Sequence, residues 1–374
     1  MKYFGYYADS ERLDKANCTL AAVNKMDYIA DVIANVAGST EIVSFSSKLG
    51  SSQKDECINL RNGVSVKYFN LKSHKSRVVR VVSRFFDKLK LLLWIFKNVC
   101  KDETVIVYHS LGYLNQINFA HKFKRFKLIF EVEEIYADVI GNEKLRKKEI
   151  KTLKSADAYI FPTKLLSDLI NESEKPEVII HGTYKVEPEK VKTFSDNKIH
   201  IVYAGTFDPR KGGALAAVSA AEFLPSNYHI YIIGFGSEQD INNIKRCIDE
   251  ISKQSKATVT YDGMYSGEEY IKFIQSCDIG LSTQNPDADF NATSFPSKIL
   301  SYMANGLRVV SIRIPAIETS AIGKYMYYYD EQTPKAIANA IKSVNINDDY
   351  NGRKVISELD LQFQKDLKWL LEDK

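Results

Sequence analysis

Ile201-Val-Tyr-Ala-Gly-Thr-Phe-Asp-Pro-Arg-Lys-Gly212 decides the fold. Its apolar, β-branched opening reads as the end of a strand that starts at Ile199. A glycine-bounded turn follows, and Gly213–Phe223 then has helical spacing. A strand that passes through such a turn into a helix is the first half of a βαβ unit, and the pattern recurs on both sides. Downstream strands are expected at His229–Ile233, Thr258–Tyr261, Ile279–Ser282, Val309–Ile312 and Met326–Tyr329. Helices lie between them near Ser237–Ser252, Gly267–Ser276, Pro296–Asn305 and Pro334–Val344. Upstream, strands at Tyr3–Tyr6, Glu41–Phe45, Val64–Phe69, Thr104–Tyr108, Leu128–Val132, Ala158–Phe161 and Val178–Ile180 alternate with helices near Leu20–Val36, Arg77–Val99, Tyr113–Phe123, Asn142–Lys154 and Lys164–Asn171.

Strict alternation predicts an α/β fold with two tandem, Rossmann-like, doubly wound parallel sheets, and with ligands at the carboxyl ends of the strands, between the domains. A chain of 374 residues is long enough for two cores. The polar, aperiodic stretch after Tyr184 separates them. The expected division is 1–183, a linker at 184–198, a second domain at 199–350, and a terminal helix, 351–374, that packs back on the first domain. No 18-residue apolar run occurs, and the start of the chain lacks a signal-like segment, so the expectation is a cytoplasmic protein. Five scattered cysteines without a CxxC pair read as reduced thiols.

The overall charge of +4 conceals an asymmetry: residues 1–190 carry 31 Lys+Arg against 24 Asp+Glu, and the remainder carries 20 against 23. Nine cations and one acid, Asp87, fall within Lys72–Lys101, interleaved with Phe85, Phe86, Leu89 and Trp94. A second run, Lys144–Lys154, holds six cations and one acid. A basic, strongly apolar helix suits either an anionic membrane surface or a core helix with cations in water. The membrane reading places Arg77, Arg80, Arg84 and Lys88 at the bilayer. Nucleic acid is not an expected partner, because no aromatic-basic sheet motif accompanies the helix.

The turn 205–212 suits an anion, since glycine lets the backbone approach and Arg210 and Lys211 flank a helix start. Ser294-Phe-Pro-Ser-Lys-Ile-Leu-Ser-Tyr302 places a second lysine, Lys298, at another helix start, with Ser301 and Tyr302 one turn on, where a hydroxyl reaches a sugar. Tyr231-Ile-Ile-Gly-Phe-Gly236 ends a strand in Gly-x-Gly but lacks the third glycine of a dinucleotide fingerprint, which disfavours a nicotinamide enzyme. Asp287-Ala-Asp289 has the spacing of a metal-binding triplet but reads as a solvated loop.

Four stretches in this order, VYAGTFDPRKGG, IIGFGSE, VTYDGMYSGEEYIKFIQSCDIGLS and FPSKILSYMANGLRVVS, resemble the donor domain of the retaining family 4 (group 1) glycosyltransferases of the GT-B fold, over about residues 199–330. The resemblance implies transfer of a sugar from a UDP- or GDP-linked donor to a glycan or polyprenyl-diphosphate-linked acceptor, in surface polysaccharide assembly. It implies no metal and no further cofactor. Lys211 corresponds to the family's diphosphate lysine, and the backbone at Met264 and Tyr265 falls where the nucleobase is held. His109 corresponds to a cleft histidine, while Glu131, Glu133 and Glu134 follow the next strand. The implied catalytic set is His109, Glu133, Lys211 and Lys298. The implied donor set is Gly205, Thr206, Arg210, Gly234, Met264, Tyr265, Thr293, Ser294, Phe295, Ser297, Ser301 and Tyr302. Two departures stand out: Thr293 and Ser301 occupy the places of the family's paired glutamates, and Thr206 that of an arginine. A catalytically silent subunit or chaperone of an active transferase is therefore the alternative, with a GT-B epimerase or phosphorylase as a third reading.

Overall fold

The computed structural model describes residues 1–12, 18–45, 55–69, 77–288, 291 and 293–372. They divide into two units, Met1–Ile180 with Gln362–Lys374, and His181–Leu361.

The first unit runs β1 (Lys2–Gly5), α1 (Leu20–Ala37), β2 (Thr40–Ser44), β3 (Glu56–Arg61), β4 (Val64–Tyr68), α2 (Arg77–Asn98), β5 (Thr104–Tyr108), α3 (Leu114–Lys124), β6 (Lys127–Glu131), α4 (Tyr136–Ile140), α5 (Glu143–Leu153), β7 (Ala158–Phe161), α6 (Lys164–Ile170) and β8 (Glu177–Ile179). The sheet order is β3-β4-β2-β1-β5-β6-β7-β8. Its central strands are buried on both faces, which explains their unbroken Val, Ile and Phe content. The sheet is parallel as expected, except that β3, a strand absent from the expected set, adds an edge and pairs antiparallel with β4. The turn is Asn62-Gly63, with Gly63 at φ 73°, a conformation that a side chain would strain. Helix α1 starts where Thr19 accepts a hydrogen bond from Ala22 N, and α6 starts where Thr163 accepts one from Leu166 N. Helices α2, α3 and α5 bury Leu91 and Ile95, Leu114, Ile117 and Ala120, and Leu153 in one core with β1 and β5–β7.

The second unit runs β9 (Ile199–Thr206), α7 (Gly213–Ala220), β10 (Tyr228–Phe235), α8 (Glu238–Ser252), β11 (Thr258–Tyr261), α9 (Gly267–Ser276), β12 (Ile279–Ser282), α10 (Lys298–Ala304), β13 (Arg308–Ile312), α11 (Pro315–Glu318), β14 (Met326–Tyr329) and α12 (Pro334–Ser343). All pairings are parallel, in the order β11-β10-β9-β12-β13-β14. Ser237 and Asp240 form a reciprocal capping box at the start of α8. The stretch Tyr184–Asn197, expected as a linker, lacks regular secondary structure and lies within the second unit. Gln275 Oε1 accepts from Lys190 N at 2.7 Å, Ser276 Oγ accepts from Thr193 N at 3.0 Å, and Phe194 stacks on His200 at 4.2 Å. The last helix, α13 (Gly352–Glu372), starts in the second unit and ends among the residues grouped with the first. None of the five cysteines is in a disulfide.

Candidate functional site

In the second unit the carboxyl ends of β9 and β10 meet at two glycines, Gly205 opposite Gly234. A Cβ on Gly234, whose φ is 138°, would lie 1.8 Å from the carbonyl oxygen of Gly205. Any side chain there would collide with backbone, and the requirement for glycine leaves bare peptide at the sheet's edge. The Gly234 N–H donates to Gly263 O at 2.8 Å, tying the 263–266 loop to the same edge.

Lys298 reaches this edge from α10. The helix starts at Lys298 itself rather than at Pro296, because Pro296 and Ser297 only supply carbonyls to Ile299 N and Leu300 N. Its Nζ lies 3.9 Å from the centre of the Tyr203 ring, and a Cβ on Gly205 would be 3.1 Å from it. The residue as a whole is half-buried, yet its ammonium is enclosed by protein, and that burial pulls it down to about 7. The buried Tyr203 phenol is pushed up to about 12 by desolvation; the Lys211 charge acts on it in the opposite sense, and Asp208 in the same sense. Lys298 therefore packs on the Tyr203 ring, and the Lys211 charge acts on the same phenol. Lys211 is exposed, and its backbone is fixed by N–H donation to Asp208 O at 3.0 Å and by Asn285 N donating to its carbonyl at 2.8 Å. Gly212, at φ 62°, then opens α7. Two cations, bare backbone and a helix start are a place where an anion can be neutralised.

The other expected donor residues divide. Arg210 is turned onto Asp208 within its own turn, with Nη2 donating at 2.7 Å, and this contact holds the Asp208 carboxyl below the usual carboxylate range. Thr206 and Met264 are exposed, while Tyr265 stacks on Phe273 at 4.7 Å. Thr293 and Ser294 are half-buried and Ser297 is exposed. Phe295 is buried and stacks on His181 at 4.7 Å. Ser301 Oγ lies 3.2 Å from the Tyr270 hydroxyl. Tyr302 is the clearest departure from expectation: it is fully buried, and its hydroxyl accepts from Ala204 N at 2.8 Å while lying 3.5 Å from Leu281 O. With the hydroxyl spent between β9 and β12, Tyr302 supports the site and offers nothing to a sugar. Asp289, of the Asp287-Ala-Asp289 triplet, lies outside the described residues. Among the described residues, no three His, Cys, Asp or Glu side chains gather closely enough to hold a metal ion.

His109 and Glu133 belong to the first unit. His109 is 1% exposed; its Nε2 lies 3.2 Å from Glu149 Oε1, at an angle that makes no hydrogen bond, and burial pulls the imidazole down to about 4. It is neutral at pH 7. Glu149 accepts from Tyr136 N and Ala137 N, each at 2.9 Å, and so closes the start of α4. Glu133 pairs with Lys25, whose Nζ also lies 4.0 Å from Glu131 Oε1. Glu131 is fully buried and accepts from the Tyr3 hydroxyl, and desolvation pushes it up to about 8. Arg84 and Lys88 are exposed on α2, whereas the side chains of Arg77 and Arg80 lie outside the described residues. Tyr203, Asp208, Tyr270, Lys25 and Glu149 were not singled out by the sequence. Tyr203 had a readable signal, since it sits two residues before Gly205 on a strand that leads into the phosphate-type turn.

Residues 198–346 match the family described as glycosyl transferases group 1. That segment contains Lys211, Lys298 and both site glycines. This part of the chain is a group 1 glycosyltransferase domain. Among solved structures, the trehalose-6-phosphate synthase OtsA aligns with a TM-score of 0.68 at 12% identity, covering 100% of this chain and 99% of its own. Sucrose-phosphate synthase from Thermosynechococcus elongatus aligns with 0.69 at 12%, covering 99% and 97%. HepE from Anabaena, in complex with UDP, aligns with 0.67 at 13%, covering both chains fully. The glycosyltransferase domain thus sits in a chain with the GT-B fold along its whole length. No curated protein sequence matches it.

Proposed function

We propose that the protein transfers a sugar from a UDP-sugar, or a GDP-sugar, to a glycan or polyprenyl-diphosphate-linked acceptor. We take the transfer to proceed with retention, in surface polysaccharide assembly at the inner face of a membrane on which the protein docks peripherally. The observation that carries this reading is Lys298 Nζ held against the Tyr203 ring and beside the bare backbone of Gly205 and Gly234, with Lys211 at the turn that leaves the same strand, inside the matched domain. In a retaining transfer that proceeds through departure of the diphosphate, negative charge builds on the leaving phosphate. Lys298, already packed on the Tyr203 ring, and Lys211, whose backbone is held in its turn, are placed to stabilise that charge. In support, HepE is described in complex with UDP and glucose, and the Burkholderia xenovorans trehalose-phosphate synthase as UDP-forming and bound to glucose-6-phosphate. The chemistry asked of Lys211 and Lys298 needs no metal.

The test is a thermal-shift screen of UDP, GDP and their sugars against wild type and the Lys211→Ala and Lys298→Ala variants, since a ligand that binds the native state raises the transition. A shift seen in wild type and lost in both variants supports the reading. Equal shifts in all three proteins refute the placement. A second reading, a catalytically silent subunit, is favoured by Ser301: a hydroxyl engaged with Tyr270 stands where the family carries a carboxylate. Binding without transfer to any acceptor would decide for it.

A further inference from the structure

Cations that lie far apart in the sequence share one face of the first unit. Helices α2, α3 and α5 bury their inner residues in the same core. Lys124 Nζ of α3 donates to Phe96 O of α2 at 2.8 Å, and Asn118 Nδ2 of α3 donates to Thr152 O of α5 at 3.2 Å. The three helices therefore lie side by side on one side of the sheet, and their outer residues point away from it together. On α2 the outer residues are apolar: Phe85, Phe86 and Leu93 are 65%, 60% and 61% exposed. On α3, Phe123 is 66% exposed, and its ring lies 6.4 Å from that of Phe96. Arg84, Lys88 and Lys122 flank these side chains in the open, while α5 exposes Lys144, Lys147, Lys148 and Lys151 against one exposed acid, Glu143, 3.8 Å from Lys147. Glu149, the one acid within this second basic run, is turned inward.

We propose that this three-helix face is the surface that enters an anionic bilayer, with the aromatic side chains of α2 and α3 inserting at the interface and the cations of α5 meeting lipid phosphates. The assignment rests on the peripheral-docking reading given above and adds which surface performs it. A soluble chain leaves large apolar side chains this open and this close together only where something covers them. Charge chooses the cover: protein interfaces are depleted in lysine, whereas an apolar ridge bordered by an excess of cations suits the headgroup region of acidic lipid. Among the described residues no helix is long and apolar enough to cross a membrane, so the ridge lies on the bilayer rather than through it.

The full chain is to be sedimented with vesicles of phosphatidylcholine alone and of phosphatidylcholine with phosphatidylglycerol, at low and high salt. Wild type is expected to partition onto the anionic vesicles and to be partly released by salt. The Phe85→Ser/Phe86→Ser/Phe123→Ser variant should partition about 100-fold less, and Lys147→Gln/Lys148→Gln about tenfold less, on anionic vesicles only. All five side chains are exposed, so the variants should keep the wild-type melting transition, and the wild-type comparison of the two vesicle types needs no variant. Failure of wild type to bind anionic vesicles overturns the docking reading. Wild-type partitioning by the triple variant overturns this surface while leaving docking intact. A wild-type dimer that becomes monomeric in the triple variant, without vesicle binding, makes the face a protein interface and overturns the proposal.

Discussion

Lys298 predicts that binding of a nucleotide diphosphate takes up a proton. In the free protein, burial pulls its ammonium down to about 7, so at neutral pH the group is half charged. A diphosphate beside Nζ favours the charged form and returns it towards the ordinary lysine value, about 10.4. The sign is fixed by that rise: binding is strongest below the free value and weakens as pH climbs from 7 towards 10. With those two values, linkage gives an affinity about 50-fold weaker at pH 9 than at pH 7, and uptake of about half a proton at pH 7 growing to nearly one at pH 8. The ligand adds little in this range, because a terminal phosphate with a second pKa near 6 is already ionised. Titration calorimetry of UDP in two buffers of different ionisation enthalpy counts the protons directly. Lys298→Met should abolish the uptake and flatten the pH profile. A pH-independent affinity in wild type, with no proton taken up, would show that the Lys298 ammonium does not meet the diphosphate.

Further expectations concern other residues. Gly234→Ala drives a methyl group into Gly205 O and should cost about 3 kcal/mol or more, read as a lowered thermal transition with loss of UDP binding. Tyr302→Phe leaves Ala204 N–H without its buried acceptor and should cost about 1–3 kcal/mol of stability; UDP affinity measured well below the transition should stay within about twofold, since the hydroxyl faces protein. Arg210→Ala should weaken UDP binding less than Lys211→Ala, because Arg210 is occupied by Asp208; the reverse order would show that Arg210 swings to the ligand. Glu131 is pushed up to about 8, so its folded state favours the protonated acid, and the stability that proton brings is complete below the unfolded carboxyl value and is lost as pH rises towards 8. Glu131→Gln should therefore flatten the decline of stability between about pH 5 and 8, as followed by chemical denaturation.

The alternation of strands and helices was legible because most sheet strands here are buried on both faces and carry unbroken runs of Val, Ile and Phe. β3 escaped because Glu56–Arg61 is a half-exposed edge strand whose alternate residues face water, although Asn62-Gly63 signalled the hairpin that makes it. α4 and α11 escaped because five and four residues are too few to show a helical period. At the site, lysine at a helix start marked Lys211 and Lys298, yet the phenol on which Lys298 packs was hidden, since Tyr203 sits in a strand where an aromatic reads as core. Tyr302 was misread in the opposite direction. Its neighbours Ile299, Leu300 and Met303 are buried with it, and which face of so short a helix meets the sheet depends on packing that periodicity alone does not specify. Arg210 shows the same limit, because whether a loop cation is free or paired turns on a carboxylate two residues away adopting the right geometry.

Lys211 and Lys298 are expected to stabilise a departing nucleotide diphosphate during sugar transfer. Release of UDP or GDP from a panel of their sugars, in the presence of a lipid-linked glycan acceptor, tests this in wild type against Lys298→Ala at pH 7. Acceptor-dependent release by wild type is expected, with a loss of about 100-fold or more in the variant. No release by wild type from any donor, or undiminished release by Lys298→Ala, would contradict it.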